Sequence, residues 1–241
     1  MIISIVIPAF NEAKYLPNTL KAVKNSTKVF DASGWESEIV MCDNNSTDAT
    51  SKIANAHGAR VVFESFNQIS AARNAAARAA RGDWLVFVDA DTQVSSELFR
   101  SMMRAIVSED CIGGGAPVRF DGGPRLACQT VHIWNALAKI MGWATGSFLF
   151  CEANAFRKLD GFNNDLFAAE EVEYCERLNR FGKSLPKRLI MLRPPVITSG
   201  RKVKALFTPK NLAYGLKVLF TAGEALKNRD NCSYWYDNPV R

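Results

Sequence analysis

The segment SAARNAAARAARGDWLVFVDADT, Ser70–Thr92, holds a helix, a turn, a buried strand and a pair of carboxylates in one run. Gln68–Ala80 is rich in Ala, the residue with the highest helix propensity, and predicts a helix. Gly82 is the expected stop, in the position after the last helical turn where glycine is favoured. Trp84–Val88 is apolar at every position, as a strand covered on both faces must be. Polar residues at the end of such a strand matter, because open parallel sheets bind ligands beyond the carboxyl ends of their strands.

The same alternation continues outward. Ile2–Ile7 is a β-branched run stopped by Pro8 and predicts a buried strand. Tyr15–Val23 is amphipathic and predicts a helix; Glu38–Met41 and Arg60–Phe63 predict strands. Between those strands, Asp48 or Thr50 is placed to cap a helix that ends at Gly58. Repeated strand and helix predicts an α/β fold, a Rossmann-like, mostly parallel central sheet flanked by helices. The second half reads less regularly. Gly113-Gly114-Gly115 and Gly122-Gly123-Pro124 read as loops, Leu126–Trp143 as a helix and Phe148–Cys151 as a strand. Glu170–Phe181 reads as a helix ended by Gly182. Pro209–Lys227 has apolar residues at helical spacing, and Tyr234-Trp235-Tyr236 reads as packing.

The chain of 241 residues is 48% apolar and 22% charged, which excludes disordered, collagen-like and coiled-coil classes. Lys and Arg number 30 against 24 Asp and Glu, a net charge of +6 that suits an anionic ligand or an anionic membrane face. The six cysteines stand apart, so no CxxC metal or redox pair exists, and a reducing compartment is expected. The N-terminus opens on a strand rather than a basic region, so no secretory signal is expected. The uncharged stretch Ile140–Cys151 is too short to span a bilayer.

Three strand ends carry polar clusters: Phe10-Asn11-Glu12, Asp43 through Asp48, and Asp89-Ala90-Asp91. Each alone is what a turn needs. At successive strand ends they converge on one crevice. Two carboxylates at i and i+2 leaving a buried strand need compensation by a cation or donors. A hard cation, Mn²⁺ or Mg²⁺, binds through one or two such carboxylates and substrate phosphates. Arg73 offers a planar fork for phosphate oxygens. Glu170, Glu171 and Glu173 open a helix, where the macrodipole favours acids in any protein and also supports an ionised general base. His57, just before Gly58, is a natural partner for a helix C-terminus, and His132 beside Trp134 reads as packing.

With these residues assembled, the chain resembles a family 2 glycosyltransferase of the GT-A fold. The matching segments are IVIPAFNE (Ile5–Glu12), DNNSTDAT (Asp43–Thr50), Ser70–Thr92 above, and GFNNDLFAAEEVEYCERLNRFGK (Gly161–Lys183), in the family's order over roughly the first 185 residues. The resemblance implies a single GT-A domain. Its nucleotide-sugar half is 1–115, its smaller acceptor and catalytic half 116–205, and a helical tail follows at 206–241. Pro8, Ala9, Glu12 and Asp43 would line the nucleotide, and Arg73 would face the diphosphate. Asp89 would meet the ribose or the metal, and Asp91 would ligate the metal. Glu170-Glu171 matches the family's Glu-Asp pair, whose second member often acts as base; Glu replaces Asp at 171, so Glu170 is the second choice. Where many members place a late histidine, Arg201 and Lys202 are the candidates to close over the diphosphate.

The implied activity is metal-dependent, inverting transfer of a sugar from a nucleotide-diphosphate sugar to an unidentified glycan, lipid or small-molecule acceptor. The implied setting is cytoplasmic, in cell-envelope biogenesis, with peripheral contact at the inner membrane face through 206–227. A nucleotidyltransferase would instead want a Gly-rich, Lys-bearing phosphate loop after the first strand, and no GxxxxGK[ST] is present. A non-catalytic anion or nucleic-acid binder would want interleaved aromatic and basic residues, which the chain lacks, so no nucleic-acid partner is expected.

Overall fold

The computed structural model describes residues 1–122, 125–141, 143–144, 146–200, 224–232 and 236, the side chains of 125–130 excepted. The chain opens with β1 (Ile2–Ala9), α1 (Leu16–Asp31), β2 (Glu36–Asp43), α2 (Thr50–Ala56), β3 (Arg60–Phe63), α3 (Ile69–Ala79) and β4 (Trp84–Val88). It continues with β5 (Thr92–Gln93), α4 (Ser96–Val107), β6 (Cys111–Gly115), β7 (Val118–Phe120) and α5 (Arg125–Met141). Then come β8 (Phe148–Glu152), α6 (Ala153–Lys158), α7 (Glu170–Lys183), β9 (Arg188–Met191) and β10 (Val196–Thr198). Two 3-10 turns, Glu224–Lys227 and Arg229–Cys232, follow.

Seven strands form the main sheet in the order β3-β2-β1-β4-β8-β6-β9. The pairings are parallel except at β8, which runs against both β4 and β6. This is the expected α/β fold, a mostly parallel sheet between helices. A second sheet of three short strands, β5-β10-β7, sits at the side.

Strand periodicity divides the core in two. Ile3, Ile5 and Ile7 of β1, with Trp84, Val86 and Val88 of β4, face α1 and α4. Val6, Leu85 and Phe87 face the other way, onto α3, α6 and α7. Each fully buried side chain of this size contributes about 1.5–3 kcal/mol of transfer free energy. The described cysteines, Cys42, Cys111, Cys151, Cys175 and Cys232, are all buried, and no two of them form a disulfide. Burial pushes the thiols of Cys42, Cys111, Cys151 and Cys175 up to about 12, so they behave as small hydrophobes.

Several glycines do other work than the sequence implies. Gly113-Gly114-Gly115 is not a loop but the interior strand β6. A Cβ at Gly114 would collide with the Ile190 carbonyl on β9, and one at Gly113 with the Phe150 carbonyl on β8. Gly82 is not a left-handed helix stop. It packs on β1, where its amide donates to Ser4 Oγ at 2.8 Å and a Cβ would meet the Ile2 carbonyl. Gly182 lies inside α7, which runs on to Lys183, and packs against the Lys187 carbonyl.

Helix α1 also outruns its expected end at Val23. Ser26 is buried, donating to the Val94 carbonyl at 3.2 Å, and Phe30 stacks on Phe99 with ring centroids 5.2 Å apart. Tyr236 is buried, its hydroxyl accepting from the Ile69 amide at 3.3 Å and donating to the Phe167 carbonyl at 3.0 Å. Among the described residues no helix is long and apolar enough to cross a membrane.

Candidate active site

The carboxyl ends of β1, β2 and β4 open onto one cavity of about 640 Å³, within the usual range for small-molecule sites. Pairing of β1 with β2 brings Ala9 level with Asp43, and β4 lies on the other side of β1. The loops after β1 and β2 are stitched together by hydrogen bonds. Asn11, in the left-handed region at φ 53°, donates its amide to Ser46 Oγ at 3.0 Å and accepts from the Thr47 amide at 2.8 Å. The Glu12 amide donates to Thr50 Oγ1 at 2.8 Å, and the Ala13 amide to Asp48 Oδ2 at 3.1 Å. Neither expected residue is the cap of α2: the N-cap position is Ala49, with no side-chain cap. Asp48 just before it accepts from the Thr50 amide at 2.9 Å and from the Thr50 hydroxyl, which against burial hold its carboxyl below the usual range. Asn44 braces the next crossing. Its Nδ2 donates to the Glu64 and Phe66 carbonyls, and its Oδ1 accepts from the Gln68 amide at the head of α3.

Pro8, Ala9 and Glu12 line the cavity. Asp43 is not among the lining residues; it is buried and its Oδ1 accepts from the Ser46 amide at 3.0 Å. The polar wall is built by Arg73, Asp89, Asp91, Glu170 and Glu171. Arg73 is 4% exposed in the middle of α3, where small alanines bring the helix close to the sheet. Its Nη1 donates to Glu170 Oε1 at 2.7 Å, and its Nη2 donates to Asp89 Oδ1 and to the Gly146 carbonyl, each at 3.0 Å. Glu171 Oε2 lies 4.0 Å from Nη1. The face of Phe162 lies 5.5 Å from the guanidinium carbon. The guanidinium expected to face a diphosphate is therefore closed on protein carboxylates. The two terminal nitrogens of the fork pair with these acceptors, while the buried Nε has no hydrogen-bond partner among the described residues.

One guanidinium here answers three carboxylates, Asp89, Glu170 and Glu171. The excess of negative charge decides the electrostatics. Burial raises Glu170 above the usual carboxylate range against the pull of Arg73. Burial and the neighbouring Glu170 push Glu171 up to about 7. The two differ in access: the Glu170 side chain is 3% exposed and held by Arg73, whereas Glu171 is 18% exposed. Both stand at the head of α7, entered through Ala169 in the left-handed region at φ 58°. A non-glycine residue there carries strain that the surrounding structure must hold.

Sequence reasoning missed several residues that shape this wall. Gly146, at φ 80°, has no Cβ where one would lie 3.0 Å from Glu171 Oε1. Asn74 pins the loop before α7, donating to the Phe162 carbonyl at 2.8 Å and accepting from its amide at 2.9 Å. Thr198 on β10 reaches Asp91 Oδ1 at 3.4 Å and accepts from Thr92 Oγ1 at 3.0 Å, so the small sheet fixes the second aspartate. Val118, Phe120, Val131 and Trp134 form an apolar wall opposite. The helical position of Asn74 beside Arg73 is a visible signal, and Thr198 opens the polar and basic run that ends in Arg201 and Lys202; nothing local marks Gly146.

Asp89 and Asp91 suit a hard divalent cation. They present carboxylate oxygens to the cavity, partly exposed, at a place with surplus negative charge. No group of three or more His, Cys, Asp or Glu among the described residues forms a closed cage, so substrate oxygens or water would complete the shell. His57 does cap α2, with Nδ1 donating to the Ile53 carbonyl at 2.9 Å. His132 is exposed on α5 rather than packed. Arg201, Lys202 and the tail through 223 lie outside the described residues.

The family model for glycosyl transferase family 2 matches residues 4–158. The glycosyltransferase AglE of Haloferax volcanii is 26% identical over 195 residues, covering 76% of this chain and 63% of AglE. Other curated relatives are matched over less of their length, 23% and 29% in two cases, so this chain spans only part of them. A mannosyltransferase from Pyrobaculum calidifontis, solved with GDP-Man and Mn²⁺, superposes with a TM-score of 0.65 at 18% identity, covering 90% of this chain and 64% of that one. The S. aureus TarS fragment 1–349, solved with UDP-GlcNAc, gives 0.63 at 17% identity, covering 98% and 72%. These structural neighbours share the GT-A fold.

Proposed function

The chain belongs to glycosyl transferase family 2, and from that premise we propose that it transfers a sugar from a nucleotide-diphosphate sugar to an acceptor hydroxyl, with inversion at C1. The observation that carries this reading is the cluster of three carboxylates around the Arg73 guanidinium, the one cation paired with them among the described residues, at the carboxyl edge of the sheet. Such a site cannot take an anionic diphosphate without a cation. Asp89 and Asp91 are the residues to hold Mn²⁺ or Mg²⁺. Once bound, that ion would supply the electrostatic stabilisation a departing diphosphate needs.

The remaining parts belong to the chain itself. Pro8, Ala9 and Glu12 form the wall that receives the nucleotide. Glu171 is the base. It is the accessible member of the pair, and its pKa near 7 leaves it partly ionised at neutral pH, where a general base works best. It takes the acceptor hydroxyl proton while the acceptor oxygen bonds to C1 and the C1–O bond to the diphosphate breaks. Glu170 and Arg73 hold each other and fix the head of α7, so they position Glu171 rather than touch the acceptor. The neighbours' GDP-Man and UDP-GlcNAc support a nucleotide-sugar donor and leave base and sugar open.

Product configuration tests the single displacement: an α-linked donor must give a β product, read by the anomeric coupling in proton NMR. Glu171→Gln is expected to lower turnover by about 10²–10⁴-fold with donor affinity kept. If Glu170→Gln behaves this way and Glu171→Gln retains turnover, the base assignment is wrong.

A further inference from the structure

The connection 159–169, between α6 and α7, has no regular structure, yet side chains from elsewhere hold its backbone. Asn74 Nδ2 donates to the Phe162 carbonyl at 2.8 Å and to Asn164 Oδ1 at 3.0 Å, and its Oδ1 accepts from the Phe162 amide at 2.9 Å. Gln68 Nε2 donates to the Asn164 carbonyl at 2.7 Å and to the Leu166 carbonyl at 2.9 Å. Both carboxamides are buried. Gly161, at φ 66°, passes so close to Asn74 that a Cβ there would lie 2.5 Å from Asn74 Oδ1. From α7, Arg177 donates to the Leu159 carbonyl at 2.6 Å and to the Gly161 carbonyl at 2.7 Å.

What this clamp delivers is the head of α7. The connection ends at Ala169, left-handed at φ 58°, and Glu170 and Glu171 follow at once. A non-glycine residue stays in that region only where its surroundings over-determine it. Without the clamp Ala169 can relax, and the first turn of α7 swings with it. Gln68, at the start of α3, is itself anchored to the sheet edge. Its amide donates to Asn44 Oδ1 at 2.9 Å, and Asn44 follows β2 and lines the cavity. Along α3, then, Arg73 holds the Glu170 side chain, while Gln68 and Asn74 hold the backbone that leads to it. Carboxamides suit this task. Asn and Gln offer donor and acceptor without charge. They add nothing to the surplus negative charge beside Arg73, and they keep their bonds whether or not Glu171 holds a proton.

We propose that Gln68 and Asn74 are positioning residues for Glu171. Their side chains fix 159–169, which keeps Ala169 left-handed and holds the Glu171 carboxyl against the buried cluster. The bearing on catalysis rests on the reading of Glu171 as the base. The placement of its carboxyl does not, and it is tested without substrate.

The test is a carbon-13 NMR titration of the glutamate side-chain carboxyls in the full chain, with the Glu171 signal assigned by its loss in Glu171→Gln. In wild type Glu171 is expected to titrate with a midpoint of about 7. Gln68→Met and Asn74→Ala are each expected to lower that midpoint by about one pH unit or more, toward the ordinary 4.5, because a freed helix head lets water reach the carboxyl. Glu170, Arg73 and Asp89, the charged groups around Glu171, are unchanged in both variants. Asn135→Ala is the control. It removes a similar bracket from β7, where Asn135 Oδ1 accepts from the Val118 amide at 3.0 Å and Nδ2 donates to the Val118 carbonyl at 2.9 Å. Its Glu171 midpoint should stay at the wild-type value even with a lower melting temperature. Should Gln68→Met fail to fold, Asn74→Ala, which leaves both Gln68 bonds in place, decides the matter. Folded variants whose midpoint stays at the wild-type value overturn the proposal, as do an equal fall in Asn135→Ala or a wild-type midpoint already near 4.5. Lowered midpoints beside a Glu171→Gln variant that retains transfer uphold the clamp and overturn the base assignment.

Discussion

The loops after β1 and β2 and the carboxylates around Arg73 share one sheet edge, yet they are held in opposite ways. In the loops, side chains such as Asn11, Ser46 and Thr50 pair with backbone amides about 35 residues away, and ionised groups are few. Around Arg73, buried charges hold each other across α3, β4 and α7. A neutral hydrogen bond contributes about 0.5–1.5 kcal/mol, and losing one is survivable. Removing one member of a buried ion cluster strands the others, at a cost of about 3–5 kcal/mol. The first region is a scaffold with tolerance; the second is a poised site whose charges are only partly balanced.

Substitutions can break or sharpen that contrast. The largest effect is expected at Asp91→Ala, which removes a cation-holding carboxylate: sugar transfer should fall by about 10³-fold or more, with the melting temperature nearly unchanged. Retained transfer would remove Asp91 from the site. Arg73→Met comes next. It leaves Glu170 buried without its cation, so denaturant unfolding should show a loss of about 3–5 kcal/mol. A loss below about 1 kcal/mol would mean the cluster is held no differently from the loops.

Titration separates the regions further. With Glu171 at about 7 and active only when ionised, kcat/KM should fall about tenfold per pH unit below that value, and Glu171→Gln should erase the limb. Stability runs the other way. The folded chain holds at Glu171 a proton that the unfolded chain, at about 4.5, has released, so stability falls as pH rises from about 4.5 to about 7. A smaller effect is expected at Gly146→Ala. The added Cβ would crowd Glu171 Oε1 in a backbone region that disfavours side chains, and turnover should drop about tenfold. Asn11→Ala in the loop scaffold is the mildest, at about 1 kcal/mol of stability.

Legibility followed the same division. The parallel strands β1 to β4 and helix α3 announce themselves through β-branched runs and an alanine-rich segment, and their ends name the rim where ligand residues gather. Glycine misled, because the sequence does not tell a turn from a close approach. Gly113, Gly114, Gly82 and Gly182 are all places where neighbouring backbone leaves no room for a Cβ. Helix α4 carried its own marks, a Ser95 cap accepting from the Leu98 amide and apolar residues at 98, 99, 102, 105 and 106. They went unread beside the stronger carboxylate signal of Asp89 and Asp91. The strand-end rule and the family likeness single out Arg73, Asp89, Glu170 and Glu171. The pairs they form were not legible, since Arg73 and Glu170 are 97 residues apart and meet only through the fold. Nor does sequence alone distinguish Glu170, sealed by Arg73, from Glu171, open to the cavity.

Calorimetric titration of UDP-, GDP-, CMP- and dTDP-sugars into the protein, with and without Mn²⁺, bears most directly on the donor site. One donor is expected to bind only when the metal is present and to lose that binding in Asp91→Ala. Equal binding without metal and in the variant, or no binding by any of the four with metal present, would contradict a carboxylate-held cation as the basis of donor recognition.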